Sequence, residues 1–255
     1  MDDLTNKVIL VTGASKGIGA AIATRLGDAG ASVIAHYGSD LAGAQKAVAG
    51  IPEGRKKLIS ADLGDKGEVD RLWRDAEDWR GRIDVFVNNA AVMRTENAFD
   101  ATDVEWDNLW DEALAVNVLA PARLMRNAVR HYEKNGGGVI ITMSSWAAQR
   151  GSGSPGLIAY SASKAAVMAA SKTIARHYGK DNILVYMIAP GVVRTRMSED
   201  FAKLSGGEDA VTAGLAMQEW VPPEDLANLV VFLSSGECKH LSGATLDVNG
   251  ASYLR

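Results

Sequence analysis

The sequence lacks several features that would place it in a specialised class of protein. It has one cysteine among 255 residues, Cys238, which excludes an internal disulfide framework and a metal site built from several cysteines. The four histidines show no spacing typical of metal ligands: His36, His131, His177 and His240. We therefore expect no metal site.

Long apolar runs and a surplus of basic charge are also missing. No stretch approaches the roughly 18 apolar residues of a membrane-spanning helix. The net charge of −4 gives no broad basic surface, which argues against nucleic acid as a partner. The acidic start Met1-Asp2-Asp3 leads directly into an apolar run and does not resemble a signal peptide. We expect a cytoplasmic protein with neither a membrane nor a nucleic acid as its partner.

Short apolar runs alternate with helical patterns along the whole chain. The first run is Lys7-Val8-Ile9-Leu10-Val11-Thr12, and others lie at residues 31–35, 57–60, 84–87, 138–143, 183–188 and 244–248. These runs are continuously apolar, as expected for a parallel sheet covered by helices on both faces. We predict a single α/β domain over residues 1–255, a Rossmann-like doubly wound parallel sheet of about seven strands.

The segments between these runs mostly show helical spacing. Helices are predicted at residues 17–29, 41–49, 68–79, 105–132, 160–178 and 222–233. One long segment, residues 192–221, shows neither pattern and contains Gly206-Gly207. An irregular segment of that length in a compact domain is usually functional or disordered. We expect it to be a substrate lid.

A glycine-rich turn follows the first strand. Thr12-Gly13-Ala14-Ser15-Lys16-Gly17-Ile18-Gly19 joins that strand to the first helix. Glycines permit a tight turn and a close approach of the backbone, and a helix N-terminus offers free N–H groups and a positive dipole to a pyrophosphate. Between a strand and a helix, this turn predicts dinucleotide binding.

Tyr160 and Lys164 lie four residues apart in the stretch AYSASKA, which places them on one face of the predicted helix. Taken alone, such a pair is more often a half-buried tyrosine beside a solvated lysine. A nearby ammonium also favours the phenolate and lowers the pKa of a tyrosine from its ordinary value of about 10. The pair therefore suits general acid catalysis as well.

Together these motifs resemble the classical short-chain dehydrogenase/reductase family over nearly the whole chain. The resemblance rests on the G-x-x-x-G-x-G turn, on Tyr160-x-x-x-Lys164, and on motifs that follow the later strands. Those motifs are Asp62-Leu63, Asn88-Asn89-Ala90, Asn117 in the long helix, Ser144-Ser145 and Pro190-Gly191-Val192-Val193-Arg194-Thr195.

The resemblance implies a catalytic set. Tyr160 would be the general acid for carbonyl reduction, and Ser145 would hydrogen-bond the substrate oxygen. Lys164 would lower the pKa of Tyr160 and hold the nicotinamide ribose, and Asn117 would complete a proton relay through water. Ser145 lies two residues farther from Tyr160 than is usual in the family. A longer loop accounts for this, and Ser144 stays an alternative to Ser145.

The resemblance also implies a nicotinamide cofactor, and the sequence favours NADP(H). Preference for NAD usually needs an acidic side chain at the end of the second strand, where this sequence has His36. Lys16 would meet a 2′-phosphate. The expected cofactor contacts are Gly13, Ser15, Lys16, Ile18, Gly19, His36, Asp62, Leu63, Asn89, Tyr160, Lys164, Val193 and Thr195. The resemblance implies that Asp62 contacts the adenine, that Val193 and Thr195 meet the nicotinamide amide, and that Asn89 lies near the nicotinamide ribose.

We therefore expect an NADP(H)-dependent oxidoreductase that interconverts a ketone and a secondary alcohol. Apolar residues near Ser145 and in the lid suit a hydrophobic or medium-sized carbonyl compound. The expected substrate contacts are Trp146, Gln149 and Met197.

Alternative functions stay open. The first is a 3-oxoacyl-(acyl carrier protein) reductase, for which Arg130, Lys134 and Arg176 would form a modest basic patch. The second is a non-catalytic NADP(H)-binding regulator on the same fold. Enoyl reduction is disfavoured, because enoyl reductases of this family space their tyrosine and lysine more widely. The resemblance further implies a homotetramer formed through the long helix and the helix of Tyr160.

Overall fold

Seven parallel strands form one sheet in the computed structural model, which describes residues 3–94 and 98–255. They are β1 (Val8–Val11), β2 (Ser32–Tyr37), β3 (Lys56–Ser60), β4 (Val85–Asn88), β5 (Gly138–Met143), β6 (Ile183–Pro190) and β7 (Thr245–Val248). Their spatial order is β3-β2-β1-β4-β5-β6-β7. The predicted doubly wound parallel sheet is confirmed.

The strand order reverses at β1: β2 and β3 lie on one side of it, and β4 to β7 lie on the other. This strand pairs with β2 on one side and with β4 on the other, and Leu10 lies opposite both Ile34 and Phe86. In open α/β sheets, ligands bind outside the carboxyl ends of the strands at such a switch point. The glycine-rich turn after β1 and the asparagines after β4 therefore meet at one crevice.

Helices cover both faces of this sheet. They are α1 (Gly17–Asp28), α2 (Leu41–Ala47), α3 (Lys66–Arg80), α4 (Asp103–Leu114), α5 (Ala120–Asn135), α6 (Ala147–Arg150), α7 (Ile158–Tyr178), α8 (Arg196–Leu204), α9 (Glu208–Ala213) and α10 (Pro223–Ser235). A π-helical turn, Ala115–Leu119, joins α4 to α5. The predicted helix 105–132 is thus continuous but contains one widened turn.

Side chains of β1 show why the strands are apolar throughout. Ile9 and Val11 pack into a core with α1 and α10, whereas Val8 and Leu10 pack into a second core with α3, α5 and α7. Successive side chains of a strand point to opposite faces of the sheet. Because helices cover both faces, neither set can be polar.

The predicted irregular segment 192–221 is instead a folded flap. It contains α8 and α9, and α8 begins where the Ser198 N–H donates to Thr195 Oγ1, 3.4 Å away. The ends of the flap meet where Val221 N donates to Val192 O (2.8 Å) and Arg194 N donates to Val221 O (2.9 Å). Sequence reasoning missed the helices because both are short and a Gly-Gly pair separates them.

Other kinds of site find no support in the described part of the chain. No helix there has the length and apolar character needed to cross a membrane. No cluster of three or more His, Cys, Asp or Glu residues there is arranged to hold a metal ion.

Candidate active site

The glycine-rich turn leaves room only for backbone. Gly13 and Gly17 have φ angles of +67° and +55°, a region that favours glycine. A Cβ on Gly19 would lie 2.1 Å from Gly13 O, so any side chain there would collide with the turn itself. No side chain caps the N-terminus of α1 in the described structure, which leaves its N–H groups for an anion.

Thr12 and Asn89 hold this turn against the end of β4. Asn89 Nδ2 donates to Thr12 O (2.8 Å) and to Gly13 O (3.2 Å). Thr12 Oγ1 accepts from the backbone N–H groups of Asn89 (3.0 Å) and Ala90 (3.2 Å). The amide of Asn89, predicted to lie near the ribose, is thus committed to the turn. The turn motif alone does not predict this role of Thr12, because its hydrogen-bond partners lie 77 and 78 positions away.

His36 lies beneath the turn and not at its outer edge. Its Nδ1 accepts from Gly13 N (3.1 Å), so Nε2 carries the proton and donates to Ala61 O, 3.0 Å away. Burial lowers the pKa of His36, although the hydrogen bond to Ala61 opposes this. His36 is among the expected cofactor contacts, but both of its ring nitrogens already bond to backbone atoms, so the ring has no nitrogen left for a hydrogen bond to the cofactor.

Other predicted cofactor residues line the outer side of the same crevice. Lys16 is exposed immediately before α1, Ser15 is half-buried beside it, and Ile18 packs onto the core. Asp40, the first carboxylate after β2, accepts from Gly43 N (2.9 Å) and caps α2. That acidic side chain is therefore already bound to the protein's own backbone.

The turn after β3 is held by two carboxylates. Asp62 Oδ1 accepts from Gly64 N (2.8 Å), and Asp62 N donates to Glu68 Oε2 (2.6 Å). Leu63 is buried beside them. Asp62 is exposed, and its contact with the adenine stays a prediction.

Ser145, Tyr160 and Lys164 meet at the carboxyl end of β5. Tyr160 hydrogen-bonds to the Ser145 side chain. Lys164 Nζ lies 5.9 Å from the centre of the Tyr160 ring and donates to Met143 O, 2.7 Å away. Ser144 Oγ instead donates to Lys164 O (3.3 Å). The serine that faces Tyr160 is therefore Ser145, as the resemblance implied.

Burial controls the acidity of this group. Desolvation raises the pKa of Tyr160, and the Ser145 hydrogen bond only partly opposes it. Desolvation lowers the pKa of Lys164 to about 8. The expected net lowering of the Tyr160 pKa is wrong, because loss of water around the phenol outweighs the distant ammonium. Tyr160 thus keeps a proton to donate near neutral pH.

The Asn117 side chain joins the loop after β4 to α7. It lies in the π-helical turn, where Oδ1 accepts from Val92 N (2.8 Å) and Nδ2 donates to Val92 O (2.9 Å) and Ser163 Oγ (3.0 Å). Ser163 Oγ donates in turn to Tyr160 O (2.8 Å). The relay through water that the resemblance implies for Asn117 stays a prediction. The contacts above fix the helix that carries Tyr160, and the contribution of Ser163 was missed.

The predicted substrate residues have different surroundings. Trp146 packs against the buried core of the flap, and Met197 is exposed on α8. Gln149 Nε2 donates to Asp247 Oδ1 (2.9 Å) at the end of β7. Trp146 and Met197 remain candidate substrate contacts, whereas the Gln149 amide is tied to the C-terminal segment.

Arg194 fastens the flap. Its guanidinium stacks on the Trp220 ring at 4.5 Å and forms an ion pair with Glu208. Trp220 is buried, and its Nε1 donates to Thr212 Oγ1 (2.9 Å). On either side of Arg194 lie the predicted nicotinamide contacts. Val193 is buried, and the Thr195 methyl rests beside Gly17 of the turn.

Comparison with known proteins identifies the family. A family model described as enoyl-(acyl carrier protein) reductase matches residues 13–251. The human dehydrogenase/reductase SDR family member 4 is 34% identical over 258 residues, covering 100% of this chain and 90% of the relative. This chain belongs to the short-chain dehydrogenase/reductase family.

Two further relatives bear on the chemistry. The 3-oxoacyl-[acyl-carrier-protein] reductase of Escherichia coli is 33% identical, covering 97% of this chain and 98% of the relative. A short chain dehydrogenase of Burkholderia cenocepacia, crystallised in complex with NADP, has a TM-score of 0.86 and 33% identity. That match covers 98% of this chain and 99% of the other. The family and the catalytic geometry together establish an oxidoreductase.

A glycine variant tests the turn. We expect Gly19→Ala to abolish nucleotide binding and to lower the free energy of unfolding by about 1–3 kcal/mol, because its methyl would overlap Gly13 O. Gly54→Ala is the control, since a Cβ there meets no atom within 4 Å. Fluorescence titration with NADPH and urea unfolding measure both effects. Equal behaviour of the two variants would contradict the close packing of the turn.

The buried ammonium predicts a pH-dependent stability. The pKa of Lys164 falls from 10.5 to about 8 on folding, so the unfolded chain binds more protons between these values. Stability should therefore rise with pH across that window. We expect the natural chain to gain stability relative to Lys164→Met from about pH 8 to about pH 10. Urea unfolding of both proteins at each pH measures the difference between their free energies of unfolding. Both proteins contain the same tyrosines, so the pH dependence due to tyrosine ionisation cancels in this difference. A difference independent of pH would refute the desolvation of Lys164.

Proposed function

We propose that this chain is an NADP(H)-dependent oxidoreductase that interconverts a ketone and a secondary alcohol. The observation that carries the proposal is the group formed by the buried Ser145 and Lys164 and the half-buried Tyr160, placed at the same sheet edge as the glycine-rich turn. Perturbed acids and bases in a crevice are typical of catalytic sites. A protein that only binds nucleotide has no use for such a group, which argues against the regulator.

Tyr160, Ser145 and Lys164 have separate roles in the proposed reaction. A bound nicotinamide supplies or accepts the hydride. Tyr160 donates its hydroxyl proton to the carbonyl oxygen during reduction and takes it back during oxidation. Ser145 holds that oxygen and stabilises the charge that develops on it. Lys164, with a pKa of about 8, returns a proton toward Tyr160 and favours its phenolate once the proton has left.

The preference for NADP(H) rests on charge at the end of β2. Lys16 is exposed at the start of α1, where a 2′-phosphate would meet its ammonium. Asp40 is occupied by the Gly43 N–H, and no carboxylate precedes it in Tyr37-Gly38-Ser39. The Burkholderia relative in complex with NADP supports the same choice.

The structure gives less support to the alternative that the substrate is a 3-oxoacyl group on an acyl carrier protein. Arg130, Lys134 and Arg176 are exposed, but they lie toward the C-terminal ends of α5 and α7. Arg176 stands 16 residues beyond Tyr160 along α7, which is about 24 Å of helix. These cations therefore lie near the edge of the sheet opposite the catalytic group. We favour a free ketone as the substrate.

We propose a homotetramer that buries the helix pair α4–α5 and the face of α7. The α4 half of this long helix exposes acidic residues, and the α5 half exposes basic ones. They are Asp103, Glu105, Asp107 and Asp111, followed by Arg126, Arg130 and Lys134. Antiparallel pairing with a second copy places acid against base, as a two-fold interface requires. The exposed Leu119 lies between the two halves.

Light scattering tests this assembly. We expect a mass of four 27.0 kDa chains and a smaller assembly for Leu119→Asp, because the carboxylate would be buried at the interface. Leu204→Asp is the control, since Leu204 is similarly exposed but lies on the flap. A monomeric natural chain would refute the proposal.

Turnover is the direct test of the function. A panel of ketones is assayed with NADPH and NADH side by side, and we expect NADPH to be preferred. Tyr160→Phe should lower kcat by about 10²–10⁴-fold, because it removes the proton donor, while leaving NADPH affinity nearly unchanged. Tyr178→Phe, at the far end of the same helix, is the control. Full activity of Tyr160→Phe would exclude the proposed acid, and preference for NADH would overturn the cofactor assignment.

A further inference from the structure

The His36 side chain joins two turns that follow non-adjacent strands at the cofactor crevice. Its Nδ1 accepts from Gly13 N, 3.1 Å away, at the start of the glycine-rich turn after β1. Its Nε2 donates to Ala61 O, 3.0 Å away, at the start of the turn after β3. Because β2 lies between β1 and β3 in the sheet, one buried ring connects the turns on both sides of its own strand.

His36 fixes the first two amide groups of the glycine-rich turn. Besides the contact of its ring with Gly13 N, its carbonyl accepts from Ala14 N (2.8 Å). On the other side of the same peptide, Asn89 Nδ2 donates to Gly13 O (3.2 Å). Gly13 has a φ angle of +67°, so the chain changes direction at this residue. The direction of the N–H groups that follow, toward the start of α1, therefore depends on these contacts.

Both ring contacts require a neutral imidazole with its proton on Nε2. The Gly13 N–H group donates, so Nδ1 must be unprotonated, and the Ala61 carbonyl can only accept. The His36 ring is 2% exposed, and this burial lowers its pKa from the ordinary value of 6.5. The ring is therefore neutral at neutral pH, as the two hydrogen bonds demand.

We infer that His36 is a positioning residue for the nucleotide, and that it acts through Gly13 and Ala61 without hydrogen-bonding the nucleotide itself. The inference rests on the proposed function, because it concerns the NADP(H) of that site. Gly13 begins the turn that is predicted to take the pyrophosphate, and Ala61 precedes Asp62, which is predicted to contact the adenine. The neutral ring holds these two parts of the nucleotide site at a fixed separation.

Two variants at this position test the role of Nδ1. In His36→Asn, the amide oxygen replaces Nδ1 as an acceptor for Gly13 N, whereas His36→Leu offers no acceptor. By fluorescence titration at pH 7, we expect the leucine variant to bind NADPH at least about tenfold more weakly than the natural chain. We expect the asparagine variant to stay within about threefold of it. Natural affinity in the leucine variant, or equal weakening in both variants, would overturn the inference.

His131→Leu is the matched control for a purely structural role. The His131 ring is 4% exposed, and its Nε2 accepts from Ile83 N (3.0 Å). Ile83 precedes β4, so this contact lies at the edge of the sheet opposite the glycine-rich turn. We expect urea unfolding to show a loss of stability in both leucine variants, but a loss of NADPH affinity in His36→Leu alone. An equal loss of affinity in both would show that destabilisation is the cause and would overturn the inference.

Kinetics separate this inference from the proposed reaction. We expect His36→Leu to raise the KM for NADPH by about tenfold without lowering kcat, because Lys164 is held by β5 and Asn117 by the loop after β4. A lower kcat with an unchanged KM would overturn the inference. If the natural chain binds NADPH but reduces no ketone, the proposed reaction fails, while the affinities of the three variants still decide the role of His36.

The tautomer of His36 provides a test in the natural chain. We expect ¹⁵N–¹H correlation spectra at pH 7 to show an unprotonated Nδ1 and a protonated Nε2, both with and without NADP⁺. The chain has four histidines, and the His36 signals are those missing from His36→Asn. A proton on Nδ1 would leave Gly13 N without its acceptor and would overturn the inference even if the leucine variant does not fold.

Discussion

Parallel strands end at a common edge, and this constraint places almost every functional residue of the chain. Each strand from β1 to β6 is followed by a turn at that edge, so residues far apart in sequence meet there. Thr12 and Asn89 bond across the switch point, although 77 positions separate them. The turns after β1 and β4 are therefore held together by hydrogen bonds.

The catalytic group depends on the same edge through backbone contacts. Lys164 Nζ is fixed by a carbonyl at the end of β5, and Tyr160 is fixed through Ser163 and Asn117 by the loop after β4. Lys164 and Asn117 thus bond to the main chain of other segments, and Ser163 links Asn117 to the main chain of Tyr160 within α7. Lys164 is consequently buried and Tyr160 half-buried. Desolvation raises the pKa of Tyr160 and lowers the pKa of Lys164.

The sequence predicted the seven strands and the family because both depend on local patterns. Continuous apolar runs follow from burial on two faces, and the glycines follow from backbone geometry at Gly13 and Gly19. The flap was predicted as irregular because its short helices carry little periodicity. The partners of His36 and Asn117 could not be predicted, since both side chains bond to backbone atoms of other segments. The burial that sets the acidity of Tyr160 is likewise a tertiary property.

Positive charge has different surroundings at the candidate reacting centre and in the loops around it. Lys164 is 5% exposed and donates to a neutral carbonyl, so this hydrogen-bond partner does not cancel its charge. Arg94 and Arg194, in contrast, are exposed and paired with carboxylates. Because electrostatic interactions are stronger where water is excluded, the buried ammonium acts on its neighbours more strongly than an exposed, paired arginine at the same distance.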